Sequence, residues 1–103
     1  MSLYLFARFH AQEGNQSALR DALLEVVIAS REEAGCLEIH AFQSVRDPLE
    51  FFIHSRWKDK EAFEIHATLP HTVRFVERVR GLIDNEFAPT LAEKISDLRR
   101  PGR

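Results

Sequence analysis

The stretch Glu-Phe-Phe-Ile-His-Ser-Arg-Trp at 50–57 alternates with a period of two, and that alternation narrows the folds open to the chain. Successive strand side chains point to opposite faces. Phe51, Ile53, Ser55 and Trp57 therefore share one face, and Phe52, His54 and Arg56 the other. Residues 36–45 repeat the pattern, with Leu37, Ile39 and Ala41 opposed to Glu38, His40 and Phe42. Arg46-Asp47-Pro48 between the two runs marks a turn, so they are expected to pair as a hairpin. A third run, residues 2–10, sets Leu3, Leu5, Ala7 and Phe9 against Tyr4, Phe6, Arg8 and His10. Neither face of that run is cleanly polar, so both are expected to be covered.

The intervening segments follow a helical period. Glu13-Gly14-Asn15 reads as a turn with Asn15 as a helix cap. Residues 16–34 then form an amphipathic helix with the stripe Leu19, Ala22, Leu23, Val26, Val27 and Ser30. Arg20, Asp21, Glu25, Arg31 and Glu32 form its solvated face, and Gly35 is its expected C-terminal stop. After Trp57, Asp59 caps a second helix in which Ala62, Phe63, His66 and Leu69 share one face. Pro70 cannot continue that helix but can start another, so 59–83 is a broken helix whose second part turns His71, Phe75 and Val79 inward. Arg74, Glu77, Arg78 and Arg80 point out. Residues 87–95 read as a last strand, which Pro89 confines to an edge or a strand start.

The order is β-α-β-β-α-β, an α+β, ferredoxin-like unit with an antiparallel sheet and strands one and three in its middle. Two helices cover only one face of such a sheet. The other face carries Tyr4, Phe6, Phe42 and Phe52, so a second copy packed sheet against sheet in a two-fold homodimer is expected. Glu38, Arg8 and Arg56 fall on that same face, and buried charges must be paired, so Glu38 is expected to meet one of the two arginines.

The 103 residues fit one domain over 1–96 with a polar tail at 97–103. A net charge of −2 gives no electrostatic case for nucleic acid or an anionic membrane. No apolar run approaches the ~18 residues needed to span a bilayer, and no signal peptide opens the chain. Cys36 is alone, so no intrachain disulfide is possible, and a reducing, cytoplasmic location is expected.

The chemistry-bearing residues gather around the helix break. His66 lies on an apolar stripe, His71 opens the next inward face, and Trp57 ends a strand beside them. One histidine on an apolar face is ordinary core; two flanking a break, with an indole nearby, predict a pocket. No dinucleotide, Walker or nucleophile-elbow motif is present, so no cofactor is expected. No metal is expected either, because His66 and His71 stand roughly 140° apart on an ideal helix and Pro70 intervenes. His10, His40 and His54 all fall on the outer strand face.

Taken together, the chain resembles the antibiotic biosynthesis monooxygenase domains, small dimeric α/β-barrel proteins that include quinol and anthrone oxygenases. The resemblance spans about residues 3–95. It is carried by Glu13-Gly14, by Glu33-Ala34-Gly35-Cys36-Leu37, by Asp47-Pro48 before Phe51, by Trp57-Lys58-Asp59 with Ala62, and above all by His66-Ala67-Thr68-Leu69-Pro70-His71 before Phe75. It implies a site between sheet and helices in each protomer. Trp57 matches a strand tryptophan that lines this cavity in aromatic-polyketide oxygenases. Ile53 and Phe63 stand where those enzymes carry polar pocket residues. A haem-degrading sister group uses Asn, Trp and His where this chain has Ala7, His66 and Val76, so haem degradation is not expected.

The implied activity is a cofactor-independent monooxygenation of a quinol- or anthrone-like phenol by dioxygen. In it His66 or His71 is the base, Trp57 is the stacking wall, Ala7 leaves room, and Ile53, Phe63 and Phe75 complete an apolar pocket. His71 lies in the first turn of a helix, whose positive end favours neutral imidazole. One alternative is an isomerase or processing enzyme for a small phosphorylated signal molecule, since such a relative shares the His-x-x-x-Pro-His pattern. Another is a non-catalytic ligand-binding stress protein.

Overall fold

The period-two runs become three eight-residue strands, and the computed structural model describes residues 2–96. The tail expected over 97–103 lies outside the described residues. In chain order the elements are β1 (Leu3–His10), α1 (Gln16–Ser30), β2 (Cys36–Gln43), β3 (Glu50–Trp57), α2 (Lys60–Thr68), α3 (Pro70–Arg80) and β4 (Thr90–Ala92). All pairings are antiparallel and the sheet order is β2-β3-β1-β4, so β1 and β3 form its middle as the sequence predicts. The β1–β3 register sets Phe9 beside Phe51, Ala7 beside Ile53 and Leu5 beside Ser55. These rows face the helices, where Leu19, Leu23 and Val79 are fully buried with Phe9 and Trp57. Every residue of the predicted α1 stripe is buried, Ser30 included.

Five local expectations need correction. The first helix ends at Ser30 rather than 34. Glu32 and Glu33 amides bond Ala29 and Ser30 carbonyls, tightening the last turn, and the Arg31 guanidinium folds over to donate to the Ile39 carbonyl. Gly35 is therefore not the helix stop. It lies where the chain enters β2 beneath α2, and a Cβ there would overlap the Ala62 Cβ. A register shift between Cys36 and Glu38 leaves Leu37 without a strand partner and 45% exposed, not on the inner face. The last strand is three residues long and pairs with the start of β1, with Pro89 just before it. Asn15 caps α1 by position only; Gly14, at φ 95°, makes the turn, and its amide donates to the Gln16 side chain instead.

Beyond β4, the edge of β1 is finished by the segment after α3. Asn85 accepts from the His10 amide at 2.8 Å and donates to the Arg8 carbonyl at 3.0 Å. The His10 ring bridges two carboxylates, Nδ1 to Asp84 at 2.9 Å and Nε2 to Asp47 at 3.2 Å. It thereby ties β1 to the β2–β3 turn and to the loop after α3. No described residue covers the outer sheet face: Phe6 and Phe42 are each 51% exposed. Two arginine ion pairs lie on this face, Arg56 with Glu38 at 3.2 Å, as expected, and Arg8 with Glu50 at 2.6 Å. Among the described residues, no helix is long and apolar enough to cross a membrane.

The bonds from Asp84 and Asp47 hold the His10 imidazolium above its usual pKa against a modest cost of burial. A raised folded-state pKa stabilises below the unfolded value near 6.5, and that contribution fades as pH rises through the folded value. Thermal melts from pH 5.5 to 8.5 are expected to show the wild type losing more stability with rising pH than Asp84→Asn; parallel curves would refute the clamp.

Candidate functional site

The helix break creates the site. Asp59 caps α2, its carboxylate accepting from the Ala62 amide at 2.8 Å, and the helix runs to Thr68. Leu69 is extended at φ −70° and ψ 146°, and Pro70 starts α3 in a new direction. That turn brings His71 back alongside His66, with ring centroids 6.2 Å apart. Both imidazoles meet one oxygen of Glu33: His66 Nδ1 at 2.9 Å and His71 Nε2 at 2.7 Å. The side chains of His66, Glu33 and His71 are 8%, 11% and 24% exposed, so this is a largely buried carboxylate with two N–H donors. Thr72 Oγ1 stands 3.3 Å from the same His66 nitrogen.

Burial pushes the His66 pKa down, and the opposing pull of Glu33 does not overcome it. His66 is therefore a neutral ring. With its proton on Nδ1 toward Glu33, the lone pair lies on Nε2, which has no hydrogen-bond partner among the described residues. Trp57 supports the ring from behind at a centroid distance of 4.3 Å, and its indole N–H donates to Ser55 Oγ at 3.0 Å.

His66 forms part of the wall of a cavity of about 160 Å³ between the inner sheet face and the helices. Ala7, Ile53, Phe63 and Phe75 line it, as the sequence reading places them. Trp57 does not: it is fully buried beneath His66 and Ser55. His71 opens instead on a separate groove with Glu25, Arg74 and Arg78. Three polar residues of this region were not foreseen as site residues. Glu33 falls within the helix expected over 16–34, which ends before it, although two inward imidazoles need an acceptor. Ser30 and Thr72 line the cavity. A hydroxyl within the apolar stripe of α1 was the available signal for Ser30.

The two imidazoles are not held roughly 140° apart, because the helix is broken between them. The donor atoms of Glu33, His66 and His71 lie within 4.8 Å of one another, a set that could hold a divalent cation. In the geometry described here, two of those separations are hydrogen bonds to Glu33. On the strands, His10 is engaged by Asp47 and Asp84, and His40 by Glu38.

Comparison with known proteins places this geometry. The family model described as antibiotic biosynthesis monooxygenase matches residues 2–78. The chain is similar to PA3566 from Pseudomonas aeruginosa, with 30% identity and a TM-score of 0.84 over 92% of this chain and 95% of that one. Its fold is that of Rv0793 from Mycobacterium tuberculosis, with 23% identity and a TM-score of 0.88 over 96% and 100% of the two chains. A solved structure described as an antibiotic biosynthesis monooxygenase has 22% identity and a TM-score of 0.85 over 91% and 99%. No curated protein matches the chain in sequence.

A depressed histidine pKa carries the opposite sign from that of His10. Its stabilising contribution is complete above the unfolded value near 6.5 and is lost as pH falls through the folded one. Urea unfolding between pH 7.5 and 5 is expected to show a smaller loss of stability in His66→Gln than in the wild type. Equal losses would mean that His66 is not held neutral by burial.

Proposed function

The chain belongs to the antibiotic biosynthesis monooxygenase family, and we propose on that premise that it is a cofactor-independent monooxygenase of a small quinol-type phenol, with His66 as general base. The observation that carries the reading is the buried Glu33–His66 pair, whose free Nε2 belongs to a ring in the wall of a nearly apolar cavity. Glu33 fixes the tautomer and stabilises the imidazolium that forms when His66 takes the phenolic proton, the role a carboxylate plays in other acid–base pairs. The apolar walls admit dioxygen, to which the bound anion gives up electrons. Carbon–oxygen bond formation yields a ring hydroperoxide that loses water. The balance is one hydroquinone and one dioxygen to one hydroxyquinone and one water.

Cavity size favours the quinol arm of this reading over the anthrone arm. A cavity of about 150 Å³ accommodates benzene. The 160 Å³ here suits one ring, and three fused rings require the walls to move. A phosphorylated substrate suits it less, since no arginine or lysine is among the lining residues. An isomerase would nevertheless use the same proton-transfer pair, and a binding module the same cavity. Oxygen uptake by metal-stripped protein against a panel of hydroquinones separates the three. The oxygenase consumes dioxygen, the isomerase forms product anaerobically, and the binding module does neither. His66→Gln is expected to keep the fold and lower turnover about 10²- to 10⁴-fold. His71→Gln, off the cavity, is expected to cost far less. Full specific activity in folded His66→Gln would end the assignment.

The same reading includes self-association. The exposed phenyl rings of Phe6 and Phe42, flanked by the two ion pairs, fit a second copy packed face to face in a homodimer. Cys36, the lone thiol, fits work in a reducing cytoplasm. Light scattering at micromolar concentration is expected to give twice the chain mass, and Phe6→Asp half of that. A wild-type monomer defeats the dimer.

A further inference from the structure

We infer that Ser30 is a substrate-binding residue whose hydroxyl takes the second oxygen of a ring whose first oxygen faces His66. The inference rests on the proposed quinol reading and sharpens it: the ligand must carry two oxygen functions on one ring.

The cavity wall is almost wholly hydrocarbon, and its polar side chains are Ser30, His66 and Thr72. Thr72 Oγ1 stands 3.3 Å from His66 Nδ1, whose one proton goes to Glu33, so the threonine oxygen can only share that proton as a second acceptor. Ser30 differs. It is the last residue of α1, is fully buried, and its Oγ is the one buried side-chain polar atom among the described residues with no hydrogen-bond partner. A serine at such a position ordinarily turns its hydroxyl back to a carbonyl one turn earlier, which satisfies it locally. Buried hydroxyls left unpaired are rare, and each calls for an explanation.

The cavity's polar side-chain atoms with no hydrogen-bond partner among the described residues sit on two helices. His66 Nε2 on α2 accepts; Ser30 Oγ on α1 can accept or donate. A ligand with one oxygen leaves one of these groups unpaired. A ring with a hydroxyl at His66 and a second hydroxyl or carbonyl at Ser30 satisfies both. Sites built to hydrogen-bond a substrate group reject analogues lacking that group far better than apolar walls reject a difference in size. Ser30 is thereby the residue that selects hydroquinones over simple phenols.

The test is anaerobic binding, by calorimetry, of methylhydroquinone and of the matched methylphenol to wild type, Ser30→Ala and Ser30→Thr. The wild type is expected to prefer the hydroquinone by about tenfold, the scale of one hydrogen bond. Ser30→Ala is expected to lose that preference by weakening hydroquinone binding alone, and Ser30→Thr to recover part of it. Removing an unpartnered hydroxyl should leave the melting temperature unchanged or raised. The inference is overturned by a Ser30→Ala that keeps the preference, that weakens both ligands equally, or that melts several degrees lower because the hydroxyl had a structural partner. It is also overturned if the wild type shows no preference. Because binding is read without oxygen, the two proposals fail separately. Oxygen uptake with an unaltered preference in Ser30→Ala removes only the role of Ser30. A Ser30-dependent preference without oxygen uptake removes only the oxygenase.

Discussion

One carboxylate oxygen organises the functional half of this molecule. Glu33 Oε2 receives N–H groups from two imidazoles on two different helices, and it comes from neither helix but from the loop between α1 and β2. A buried carboxylate without donors is costly enough that a fold must either supply them or neutralise the charge. Here the donors arrive only because three backbone events coincide. The first helix stops at Ser30 and releases Glu33 from the helical surface. Gly35 lets the chain pass beneath Ala62 without a clash. The extended Leu69 and Pro70 turn His71 back toward His66.

Those events explain how unevenly the structure was written into the sequence. The three long strands, their inward rows and the α1 stripe were legible because alternation and helical period are local, and burial leaves them in the residues themselves. The Asp59 cap and the Pro70 break were legible for the same reason. The end of α1 was not. Glu32 and Glu33 are acceptable helix residues, and only the tightened last turn and the Arg31–Ile39 contact show where the helix stops. The displaced Leu37 follows from a register shift that no alternation pattern announces. The site was half legible. Ala7, Ile53, Phe63, Phe75 and His66 line one cavity, whereas periodicity fixed the face of Trp57 but not its depth. Glu33 stayed hidden because its role depends on two residues more than thirty positions away.

Two histidines at opposite ends of the molecule show how environment, not residue type, sets chemistry. His10 lies near the surface between two acids, which raise its pKa and favour the cationic form. His66 also has an acid beside it, but desolvation outweighs that attraction and keeps the ring neutral. A cation suits a strap between loops. A neutral ring with one nitrogen committed and the other open suits a proton acceptor. The family fold supplies both environments from a chain with a net charge of only −2.

The Asn85 side chain has a consequence beyond its own two bonds. β4 covers only the beginning of β1, and past it the strand would present bare amides and carbonyls at the sheet margin. The carboxamide of Asn85 takes the Arg8 carbonyl and the His10 amide as a single residue of a neighbouring strand would, and the Asp84 amide takes the His10 carbonyl. A side chain thus stands in for a missing peptide unit. The margin of β1 past β4 is thereby closed to an incoming strand, and the sheet cannot be extended there.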